Sequence, residues 1–172
     1  IVRLCEQGQG GGAPDSWLVF DRPLVLAALR LPDPGPALTA IIDNFALRGL
    51  LPKALETAGD LDISSAMSAL ETRFEDCAGV IEEARKAGLP NRNAMGSASV
   101  IARVVGRHPT IAKRVVSILD LAPGLYHAQP KPLRPSGSPT LHPQLEGFAT
   151  VLLASIADLE TDELQKVADY LL

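Results

Sequence analysis

The chain has 172 residues, 47% of them hydrophobic but only 4% aromatic, with a formal net charge of −4. That is enough apolar material for one domain, or for a compact piece with an appendage, and it argues against wholesale disorder. So small a charge does not by itself imply a dedicated nucleic-acid or membrane-surface binder, and no apolar run approaches the roughly 20 residues of a membrane span. The core has to be aliphatic, and few β-branched or aromatic runs alternate, so the expected fold class is all-α.

In chain order, the apolar Ile1-Val2-Arg3-Leu4-Cys5 leads into Gly8-Gln9-Gly10-Gly11-Gly12-Ala13-Pro14. The glycines formally fit a dinucleotide fingerprint. The fingerprint needs a strand before it, a helix opening within it and βαβ alternation beyond, and none of these follows Pro14 and Asp15. The segment reads as a flexible linker. A first helix pair is expected over 17–31 and 37–51, separated by Pro32-Asp33-Pro34-Gly35-Pro36. Trp17 and Phe20 at its start are a weak candidate partner anchor; residues of this kind more often close one end of a core.

The strongest local pattern lies at 63–88. Ile63, Met67, Leu70, Phe74, Cys77, Ile81 and Ala84 recur at spacings of four and three, with Glu71, Arg73, Glu75, Asp76, Glu82, Glu83, Arg85 and Lys86 off that seam. That spacing predicts one long helix with a single buried seam. Asp60 or Asp62 can cap its start, and Gly88 before Leu89-Pro90 reads as a left-handed stop.

A second pair is expected over 99–107 and 110–121, jointed at His108-Pro109, with Pro109 in the first turn of its helix. Gly96-Ser97-Ala98-Ser99 lacks the strand–elbow–helix setting of a nucleophile and reads as the cap of the helix that follows. From 123 to 143 the prolines Pro123, Pro130, Pro132, Pro135, Pro139 and Pro143 predict an extended crossing. A third pair then spans 145–159 and 162–172, with Thr161 as cap and Asp162 and Glu163 where the helix dipole favours negative charge.

The expected architecture is antiparallel helix pairs around one long central helix, an irregular bundle or a short helical-repeat segment. Its divisions are a helical core at 1–122, the proline-rich crossing at 123–144, and a C-terminal helical hairpin at 145–172 packing on the same domain. The chain opens on Ile1 and closes on Leu172, and it reads as part of a larger protein. No signal-peptide pattern is visible, so the expected location is intracellular, cytoplasmic or nuclear. Cys5 and Cys77 are unclustered and read as reduced thiols, Cys77 as a small hydrophobe on the long seam. His108, His127 and His142 have no His or Cys at zinc-site spacing, and a c-type haem would need Cys-x-x-Cys-His. No cofactor, metal or reaction is therefore indicated, and the chain is expected not to be an enzyme.

Charge pattern supplies the one functional lead. Between Glu83 and Asp120 there is no carboxylate, while Arg103, Arg107, Lys113 and Arg114 fall on the expected helix pair. Arg103 and Arg107, four apart, should share a helix face. Four such cations can receive phosphates or an acidic protein surface. They can equally pair with the chain's own Glu71, Glu75, Asp76, Glu82 and Glu83, which is the more usual fate of charge. No aromatic residue interleaves with them to stack bases. The expectation is a non-enzymatic protein–protein interaction or scaffold domain. The alternative is a helical nucleic-acid-binding domain that uses these four cations.

Overall fold

In a computed structural model of the chain, the described residues are 18–56, 64–88, 91–120 and 143–171. Among them the fold is all-helical, without a strand, and the helices pack against one another. Seven helices have nine residues or more: α1 (Leu18–Leu29), α2 (Gly35–Asp43), α5 (Ser64–Lys86), α6 (Arg92–Val105), α7 (Pro109–Asp120), α8 (Pro143–Ala154) and α9 (Thr161–Leu171). Two short ones, α3 (Phe45–Arg48) and α4 (Leu51–Glu56), lie between α2 and α5, and a 3-10 turn, Ile156–Asp158, joins α8 to α9. The glycine linker, Trp17, Cys5, Ile63, the caps proposed at Asp60 and Asp62, His127, His142 and the crossing from Pro123 to His142 lie outside the described residues, as does the side chain of Phe20.

The chain divides into two compact units, Ile1–Glu75 and Asp76–Leu172, so the boundary falls within α5. In the first unit α1 packs on α2 and α4. Its core holds Val25, Ala28, Leu38, Ile41, Ile42, Leu51, Leu70 and Phe74, all fully buried. The expected helix at 37–51 is broken instead into α2, α3 and the start of α4. Asn44 leaves helical geometry at φ −86° and ψ 111°, its amide closing α2 onto the Ala40 and Ile41 carbonyls. Asparagine favours such ends because its side chain competes for nearby backbone groups. Pro52 falls in the first turn of α4, where a missing amide does no harm. An ion pair between Asp43 and Arg73 ties α2 to the first half of α5.

The long-helix expectation holds. Leu70, Phe74, Cys77 and Ile81 are buried along one seam, with Met67 and Ala84 half-buried at its ends. Ala66 and Ala78 widen this seam. Gly88 has φ +70°, and its amide bonds the Arg85 carbonyl at 2.8 Å, which makes it the left-handed stop that its position implied.

The second unit corrects the start of the second expected helix pair. Helix α6 starts at Arg92, not Ser99, because the Asn91 side chain accepts the Ala94 amide at 3.0 Å and caps it there. Gly96, Ser97, Ala98 and Ser99 are consequently not a cap but the buried middle of α6. These small residues let α8 approach closely, in the most extensive helix–helix packing of the unit. At the closest point the Gly147 amide donates to Ser99 Oγ at 3.2 Å, and a Cβ on Gly147 would collide with the Ser99 carbonyl oxygen.

Candidate anionic-partner surface

Arg103, Arg107, Lys113 and Arg114 all lie in the second unit, but not all on the helix faces that their spacing suggests. Helix α6 ends at Val105 because Gly106 takes φ +58°, a conformation that side-chain-bearing residues rarely adopt. Arg107 therefore sits in the joint beyond the helix, and the expectation that it shares a face with Arg103 is corrected. The joint is short since α7 starts at once: Pro109 is its first residue, as expected, and His108 caps it. The His108 carbonyl accepts the Ala112 amide at 2.9 Å, and its Nδ1 accepts the Ile111 amide at 3.4 Å.

Two contacts fasten this joint to the turn after α8. The His108 amide donates to the Oγ of the fully buried Ser155 at 3.0 Å. Beside it the Arg107 guanidinium makes a two-pronged pair with Asp158, Nε to Oδ2 and Nη2 to Oδ1, both at 3.1 Å. This planar fork is the geometry in which arginine binds carboxylate best. Its hydrogen bonds hold the Asp158 carboxyl below the ordinary aspartate value of 3.8, desolvation opposing them and the positive charge assisting. In return the carboxylate's hydrogen bond, and then its charge, raise the Arg107 guanidinium further above its already high value.

The remaining cations are matched as well. Arg103 on α6 lies 3.6 Å from Glu146 on α8. Lys113 on α7 reaches Glu160 at 3.4 Å and Glu163 at 3.8 Å, at the start of α9. Arg114 lies 2.5 Å from Glu82 in the second half of α5. Self-pairing was the expected fate of these cations, but with the long helix as the source of acid. Glu82 fits that expectation, whereas Arg103, Arg107 and Lys113 meet acids from 146 to 163, more than 40 residues downstream. From 146 to 163 the chain carries Glu146, Asp158, Glu160, Asp162 and Glu163 and no lysine or arginine; that this stretch folds back over the basic one depends on α8 packing against α6.

Helix α9 carries its own cap. The Glu160 carbonyl accepts the Leu164 amide at 2.8 Å, and Glu163 Oε2 accepts the Glu160 amide at 2.8 Å. This is the carboxylate half of a capping box, and it corrects the assignment of Thr161 as cap, since Thr161 is already the first helical residue. Glu163 thus both closes the helix start and faces Lys113. Among the described residues no group of three His, Cys, Asp or Glu is disposed to hold a metal ion, and no helix is long and apolar enough to cross a membrane. Cys77 is a buried thiol on the seam of α5. Compared with protein-family models, with curated proteins and with solved structures, the chain matches none.

Proposed function

We propose that this chain is a non-enzymatic protein–protein interaction or scaffold domain. The observation that carries the reading is that Arg103, Arg107, Lys113 and Arg114 each have a carboxylate of the same unit within 4 Å. A phosphate backbone would have to displace those carboxylates one by one, and it would approach a surface already close to neutral. Protein partners ask less. They recognise shape and alternating charge, and the second unit offers both: interleaved acids and bases, with Leu153 and Ile156 exposed at the end of α8. Scattered apolar exposure of that size is normal on a monomer and supports the reading only in company with the charges.

The competing reading is a helical nucleic-acid-binding domain that uses the same four cations. Titration with short duplex DNA and single-stranded RNA at low and physiological salt separates the two. The interaction-domain reading expects no saturable binding near physiological salt. An affinity that falls steeply and linearly on a log–log salt plot, and that is lost on Arg107→Glu with Lys113→Glu, would replace it with nucleic-acid binding.

A further inference from the structure

We draw no further inference here: the strongest candidate, the exposed apolar patch of Leu153 and Ile156 at the end of α8 and the start of the 3-10 turn after it, carries nothing because nothing in the structure shows what covers it.

Discussion

Two glycines inside helices show how a single residue's surroundings decide the sign of a substitution. Glycine in a helix interior is less favourable than alanine by about 0.8–1 kcal/mol, so either change to alanine should stabilise if nothing else intervened. At Gly79 nothing lies within 4 Å of an added Cβ, and Gly79→Ala should raise the urea midpoint by the equivalent of about 0.5–1 kcal/mol. At Gly147 the added carbon meets the backbone of Ser99, which cannot rotate away. Gly147→Ala should therefore lower stability by about 1–3 kcal/mol despite its better propensity. Midpoints that shift the same way in both variants would show that α6 and α8 are not in close contact. Asp158 supplies a pH signature. Its folded pKa lies below the ordinary 3.8, so the contribution of the Arg107 pair is complete above that value and is lost as pH falls through the lower folded value. The difference in unfolding midpoint between the chain and Asp158→Asn should be constant at neutral pH and shrink in acid below 3.8. A difference that stays unchanged in strong acid would mean that the pair does not form.

At the scale of elements, α5 carries buried seam residues on both sides of the boundary at 75/76. Phe74 is fully buried, and truncating it leaves a void that a close-packed interior fills poorly. Phe74→Ala should destabilise by about 3–5 kcal/mol. Exposed Glu83 on the same helix is the control: Glu83→Ala should stay within about 0.5 kcal/mol. Equal midpoints for the two variants, measured in urea, would place the seam away from the core. Helix ends matter as much as helix faces here. Gly88 and Gly106, both at positive φ, stop α5 and α6, and Pro109 follows Gly106 closely as the first residue of α7. Asn91, His108 and Glu163 then cap the starts of α6, α7 and α9 through three different acceptors: an amide, an imidazole and a carboxylate.

For the molecule as a whole, opposite charges set far apart in sequence meet in space. The run from Arg85 to Arg114 and the acids from Glu146 to Glu163 are each nearly one-signed along the chain, yet within the second unit they interleave. Local neutralisation of this kind leaves little long-range field to steer a polyanion. It leaves a mosaic of exposed pairs that rising salt weakens. The close α6–α8 crossing, at Gly147 and Ser99, is the tightest approach between two helices described in that unit.

Much of this was legible in the residues alone, for physical reasons that differ from place to place. The helical class, the seam of α5 and the stop at Gly88 follow from periodicity and left-handed geometry, which act over a few residues and leave a local trace. The start of α6 was missed because Gly96, Ser97 and Ser99 are poor helix formers taken singly. Only the packing of α8 against them makes their small size an advantage, and burial then outweighs propensity. The break at Asn44 was present as a turn-forming residue but was hidden by the apolar run around it. Arg107 was placed on the wrong element because one positive-φ glycine redirects the chain, and glycine also occurs in helices without doing so. The four cations were identifiable from sequence, as was the downstream excess of acid. Which carboxylate each cation meets was decided by tertiary structure alone, because ion pairing depends on distances between residues 32 to 51 apart in sequence, and those distances are set by apolar packing that carries no memory of charge.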